Sequence, residues 1–317
     1  MLADVRFQDE AVSFLRGMVE GRVTNPLLLV GQEGTGRRFA AIQSAKEIFC
    51  SGTRDASCPC ADCLQVTRGF HPDLQVLAPI DGKDIGVEAA RQVLDASLSY
   101  PSQGRYRVFV LDGADRLTVP AANALLKTLE EPPHTSRFIL LAESAQRVLP
   151  TIRSRCGLLN FRPLPEPFVL ESVSRFEADP AKALVLTRLG EGSVGRTIQY
   201  WGSGRLALRD KALSLLVSAQ SRDVAGVFLA VDQLEKDLPL TLRFMHTLVH
   251  DLIVLGVAPD RLVNSDRADN LRALKPPANG WHALHRELCS VLETSQHAKI
   301  QLAFHVKALL LQSFMGA

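Results

Sequence analysis

The segment Gly31-Gln32-Glu33-Gly34-Thr35-Gly36-Arg37-Arg38 follows directly on the apolar run Leu27-Leu28-Leu29-Val30. Strand, glycine-rich loop and helix start are the order from which a phosphate cradle is built, because glycines let successive backbone N–H groups turn toward an anion. The working motif, G-x-x-x-x-G-K-S/T, adds a lysine for the phosphates and a hydroxyl for magnesium. Here Gly31, Gly34 and Gly36 keep the loop, while Arg37 replaces the lysine and Arg38 replaces the hydroxyl. A guanidinium is larger, planar and forked, so it does not stand in for a compact ammonium, and it repels a divalent cation. Two readings fit: a glycine-rich turn that takes no nucleotide, and a loop that retains one without hydrolysing it.

A second set of groups should complete such a site. The apolar run Val108-Phe109-Val110-Leu111 ends in Asp112, the carboxylate that would orient magnesium, but the next residue is Gly113 where a glutamate would prime the attacking water. Asp115 lies too far along to be assumed a substitute. Farther on, Leu149-Pro150-Thr151-Ile152-Arg153-Ser154-Arg155-Cys156 closes the region that follows the run Phe138 to Leu141. By itself an S-R-C tripeptide says little, since an arginine at an element end can simply satisfy carbonyls.

Four of the six cysteines crowd into one stretch, Cys50, Cys58, Cys60 and Cys63, spaced C-x(7)-C-x-C-x(2)-C. In a reducing compartment such crowding points to metal before disulfides. Four thiolates make a closed tetrahedral zinc site with no open position, so the metal would be structural. Pro59 alone separates Cys58 from Cys60, which strains a turn in which both sulfurs must point inward; His71 could replace one of them, although all four are favoured. Cys156 and Cys289 read as small core residues. His246 and His250, four apart on a helix face, lack an accompanying carboxylate motif and read as ordinary helix residues.

The elements that must position these groups alternate. Short apolar runs at Leu27–Val30, Leu74–Leu77, Val108–Leu111 and Phe138–Leu141 are interleaved with helical patterns at Arg37–Phe49, Val87–Leu98 and Val119–Glu130, the last stopped by Pro132-Pro133. That rhythm predicts α/β architecture with a parallel sheet. Pro163, Pro165 and Pro167 mark a boundary, and Gly202-Ser203-Gly204 a second. The division expected is an α/β domain over 1–162 with the cysteine module at 50–63, a small helical unit over 163–204, and an all-α tract over 205–317 whose apolar residues (Leu242, Met245, Leu248, Val249, Leu252, Ile253) recur at helical spacing. Composition is ordinary for a globular protein, 46% hydrophobic and 22% charged, and a formal charge of only +2 confines any nucleic-acid contact to a local patch. Arg91, Arg105 and Arg107 are conceivable phosphate partners, with solvated surface charge the blander account. The opening residues lack a secretory pattern and no apolar run spans a bilayer, so a cytoplasmic location is expected.

Read together, Ala121-Ala122-Asn123-Ala124-Leu125-Leu126-Lys127-Thr128-Leu129-Glu130-Glu131-Pro132-Pro133 and the Thr151 to Cys156 segment resemble clamp-loader ATPase modules of the AAA+ class almost residue for residue. Over nearly the whole chain the sequence is similar to the delta-prime family of bacterial DNA polymerase III clamp loaders, relatives of gamma and tau. The resemblance implies an AAA+ domain, a helical lid and a helical collar that holds a five-subunit ring together. Arg155 would be an arginine finger acting on ATP bound by a neighbouring subunit. The four cysteines match a zinc insertion that the family carries at this place, usually with two residues between its later cysteines. Gly190-Glu191-Gly192-Ser193-Val194-Gly195-Arg196 resembles the lid stretch with the second sensor, and Glu143-Ser144 departs from the polar first sensor of active relatives. Implied partners are gamma/tau and delta subunits, the sliding clamp and primed DNA, with no membrane. The implied role is that of a subunit without its own ATPase. An active gamma/tau-like DNA-dependent ATPase with a divergent phosphate loop, and a free-standing zinc-stabilised scaffold, are the other readings.

Overall fold

The structure, a computed structural model, describes residues 1–80, 83–234, 236–297 and 301–315. It forms two compact units, Met1–Pro165 and Glu166–Ala317. Of the helical tract expected over 205–317, Glu235, residues 298–300 and residues 316–317 lie outside the described residues.

The first unit runs α1 (Asp9–Val19), β1 (Leu27–Val30), α2 (Arg37–Phe49), α3 (Ala61–Arg68), β2 (Leu74–Leu77), α4 (Val87–Ser97), β3 (Arg107–Asp112), α5 (Val119–Glu130), β4 (Ser136–Ala142), α6 (Pro150–Arg153) and β5 (Gly157–Asn160). Its five strands are parallel, in the order β2-β3-β4-β1-β5. β1 and β4 are buried at every position because helices cover both faces, which is why they read as continuous apolar runs. Alternate residues serve opposite faces. Leu27, Leu29, Val110 and Ile139 pack with Leu15 of α1 and Ala41 of α2, whereas Leu28, Phe109, Phe138 and Leu140 pack with Val93 of α4 and Leu125 of α5. Thr118 caps α5 by accepting the Ala121 N–H (3.4 Å), with proline in the first turn.

The expected strands and helices are present to within a residue or two, and β5 is an addition. Gly157-Leu158-Leu159-Asn160 buries only Leu159 and pairs only with β1, so as an edge strand it lacks the apolar continuity that announces the other runs.

The second unit is helical: α7 (Glu166–Val173), α8 (Pro180–Leu189), α9 (Val194–Gly202), α10 (Ala207–Gln220), α11 (Val224–Gln233), α12 (Leu238–Val254), α13 (Ala268–Arg272), α14 (Gly280–His297) and α15 (Leu302–Met315). Asp179, Ser193 and Asp223 cap α8, α9 and α11 through their side chains. On α12, Leu242, Met245, Leu248 and Val249 are buried, while Leu252 and Ile253 are half-buried near its end. The first three helices join the rest: the Tyr200 ring meets Phe244 at 5.1 Å between centroids, and Arg188 Nη1 donates to the Leu262 carbonyl (2.7 Å). No helix among the described residues is long and apolar enough to cross a membrane.

Candidate functional site

β1 delivers Gly31 to the carboxyl edge of the sheet, where a Cβ on it would lie 2.3 Å from the Phe161 carbonyl oxygen, a space that only glycine fits. Thr35 Oγ1 donates to the Gln32 carbonyl (2.8 Å) and ties the loop to itself. Arg37 opens α2 and is buried, with no hydrogen-bond partner for its Nε. Burial draws its pKa down, opposed by the carboxylates of Glu143, Asp112, Asp115 and Glu33.

Arg38 Nη1 donates to Asp112 Oδ2 at 2.8 Å. The Asp112 carboxylate, which the sequence assigns to magnesium, is therefore engaged by the guanidinium of Arg38. The other acids nearby are engaged as well. Asp115 accepts the Glu143 N–H (3.1 Å) and lies 4.0 Å from Arg147 Nε, while Glu143 pairs with Arg147 (3.3 Å). Ser144 Oγ donates to Gln146 Oε1 (2.7 Å).

At the other end of the domain, Arg155 follows α6 with its side chain 29% exposed. Its Nε and Nη2 both donate to Glu130 Oε2 (2.9 and 2.7 Å), and Nη1 donates to the Thr151 carbonyl (3.0 Å). Glu130 is the last residue of α5, so the two stretches that carry the family resemblance touch each other here. Sequence reasoning named both stretches without seeing this pair, because positions 25 apart on separate elements give no local signal. In the second unit, Arg196 Nη1 donates to Glu191 Oε2 (2.7 Å), and Glu191 itself sits at φ +50°, rare for a residue with a side chain.

The four cysteines converge. Cys50 ends α2, Cys60 precedes α3, Cys63 lies one turn into it, and Cys58 comes from the loop between. The four sulfurs lie within 4.8 Å of one another. Tetrahedral Zn–S bonds of about 2.3 Å require sulfurs about 3.8 Å apart. The Cys50–Cys58 and Cys50–Cys60 separations, 3.5 and 4.0 Å, bracket that value, so the donor set fits zinc. The Cys60 N–H and the Thr53 hydroxyl lower the Cys58 pKa to about 6, whereas burial raises those of Cys50 and Cys63. His71 does not join them. It stacks on Phe49 at 4.0 Å, its Nδ1 accepts the Asp73 N–H (3.1 Å) and its Nε2 lies 3.7 Å from Asp62, so the single-residue spacing at Pro59 does not bring in the imidazole.

Cys156 packs against the sheet core and burial pushes its thiol up to about 12, as a small core residue should behave. Cys289 differs: its sulfur lies 3.3 Å from His246 Nε2. Of the three surface arginines, Arg107 is committed internally, to the Ala96 carbonyl (2.7 Å) and Asp73 (3.4 Å). Arg91 pairs with Glu88 (2.9 Å), and Arg105 lies over the Tyr106 ring (5.0 Å).

The family described as "DNA polymerase III, delta subunit" matches residues 7–165. Over 251 residues the chain is 32% identical to the DNA polymerase III subunit delta' of Escherichia coli, covering 78% of this chain and 75% of that one. It is 39% identical over 142 residues to the subunit delta' of Haemophilus influenzae, a match that spans 44% of this chain and under half, 43%, of that relative. Among solved structures, a DNA polymerase III gamma subunit-related protein of Thermotoga maritima superposes with a TM-score of 0.54 at 17% identity, covering 94% of this chain and 96% of the other. At that identity the likeness speaks to the fold alone.

Proposed function

This chain belongs to the delta-prime subunit family of DNA polymerase III, and from that premise we propose that it is a non-hydrolysing clamp-loader subunit that lends Arg155 to ATP held by a neighbouring gamma- or tau-type subunit. The observation that carries the reading is the Arg38–Asp112 ion pair. Phosphoryl transfer needs a divalent ion between carboxylate and phosphates, and a group that orients the attacking water. With Asp112 neutralised by a guanidinium and Gly113 offering no carboxylate, this chain's own loop supplies neither.

Arg155 serves a different phosphate. In this chain it is held by Glu130, an anion that a γ-phosphate can replace, so engaging a neighbour exchanges one charge-assisted contact for another. A finger supplied in trans is worth roughly 10³ to 10⁵ in rate in the GTPase cases. Arg196, tied to Glu191, acts as a structural lid residue. Residues 163–204 serve as the lid and 205–317 as the collar that joins the ring with delta and gamma/tau subunits; the assembled ring meets the sliding clamp and primed DNA. Cys50, Cys58, Cys60 and Cys63 would hold a zinc ion, which supplies a structural cross-link between the end of α2 and α3.

The test is reconstitution with a gamma-type ATPase and the remaining ring subunits, comparing wild type with Arg155→Ala. Assembly should survive while DNA-stimulated hydrolysis and clamp loading fall together. Clamp loading at the wild-type rate by the variant would remove the finger assignment.

A further inference from the structure

α12 and α14 pack side by side in the second unit, and their shared face carries an unusual set of side chains. His246 of α12 and His285 and Cys289 of α14 each present a ligating atom within 4.8 Å of the other two. Cys289 Sγ lies 3.3 Å from His246 Nε2 and 3.9 Å from His285 Nδ1. Around a tetrahedral zinc ion, bonds of about 2.3 Å to sulfur and about 2.05 Å to nitrogen put S and N about 3.6 Å apart, between the two separations observed.

A thiol hydrogen bond would account for Cys289 and His246 alone. It does not account for the second imidazole, His285, whose Nδ1 is directed at the same sulfur. The two rings lie 4.5 Å apart between centroids, too close for both to carry a proton comfortably. All three residues are half-buried, reachable by an ion from solvent yet held in place by the helix pair.

We propose that His246, His285 and Cys289 form a second transition-metal site, selective for zinc-like borderline ions, which clips α12 to α14 and leaves its fourth position to solvent. Two imidazoles and one thiolate exclude magnesium and calcium, which take oxygen. The site is separate from the four-cysteine module, with no ligand in common.

The test uses the full chain, reduced and stripped of metal, titrated with Zn²⁺ against a chromophoric chelator and, in parallel, with Co²⁺. Wild type should bind one equivalent more than Cys289→Ala or His246→Gln. The extra Co²⁺ should show tetrahedral visible absorption with a thiolate charge-transfer band. Each variant should lose at least about 100-fold in affinity for that equivalent, the upper end of what outer-shell losses cost, while far-ultraviolet circular dichroism of the metal-free chains stays the same. Reading the result as a difference keeps it independent of how the four-cysteine module loads. Equal stoichiometry and affinity in wild type and both variants would overturn the site.

Discussion

Arg38 and Asp112, 74 positions apart in sequence, meet in a single hydrogen-bonded ion pair of 2.8 Å. On the proposed reading, this pair joins two departures from a working phosphate loop: Arg38, standing where a magnesium-binding hydroxyl would be, covers the Asp112 carboxylate. The purified chain should show no magnesium-dependent ATP turnover above background, and Asp112→Ala should leave that background unchanged. Because Arg38 is mostly exposed, breaking the pair should cost only about 0–1 kcal/mol of stability. A turnover that needs magnesium and disappears in Asp112→Ala would instead favour the active gamma/tau-like reading.

The Arg155–Glu130 contact separates a structural arginine from one kept for a neighbour. Glu130 is largely exposed, so neither Arg155→Ala nor Glu130→Gln should change the unfolding free energy of the isolated chain by more than about 1 kcal/mol. In the reconstituted loader the two should diverge. Arg155→Ala should lower the neighbour's hydrolysis by orders of magnitude, up to the roughly 10³ to 10⁵ seen for trans fingers. Glu130→Gln, which keeps the guanidinium and only loosens its resting contact, should cost far less. Equal losses in both variants would mean that the pair matters as a structural unit.

Zinc at the cysteine module should be sensitive to the backbone that wraps it. Gly52 donates its N–H toward Cys50 Sγ (3.4 Å), and a Cβ there would sit 2.7 Å from Cys58 Sγ. Gly52→Ala should weaken metal retention against a chelator and make residues 50–63 more susceptible to proteolysis, while the sheet remains folded. Metal content is the readout. Metal retention identical to wild type would count against the closed four-sulfur geometry.

The central strands of the first unit are legible because they are buried on both faces, so that Leu27–Val30 and Phe138–Leu141 carry no polar interruption. β5 was not, since three of its four residues face outward. The cradle glycines, Arg37, Arg38 and the four cysteines lie close together in sequence and declare themselves by spacing. What spacing cannot report is pairing across elements. Arg38 with Asp112, Arg155 with Glu130, and Cys289 with His246 depend on how strands and helices are stacked. The histidines of α12 read as ordinary helix residues because their partners come from α14.

Asp73 offers a test of the sheet edge by pH. Its carboxylate has no exposed surface. It accepts the N–H groups of Ser102 (2.6 Å), Gln103 (2.8 Å) and Gly104 (3.1 Å), fixing the turn that leads into β3. Burial, the largest single influence, disfavours the ionised form, but these three donors together with Arg107 outweigh it and hold the pKa below the ordinary carboxylate value. A depressed folded value means that the stabilisation is complete above the unfolded pKa, near about pH 4, and is lost as pH falls through the folded one. Asp73→Asn keeps the shape but loses the charge, and should cost about 1–3 kcal/mol at neutral pH. Urea midpoints measured from neutral pH down to about pH 3 should therefore converge for wild type and variant as the carboxylate takes up its proton. Curves that stay parallel throughout would show that the turn is held by something other than the Asp73 charge.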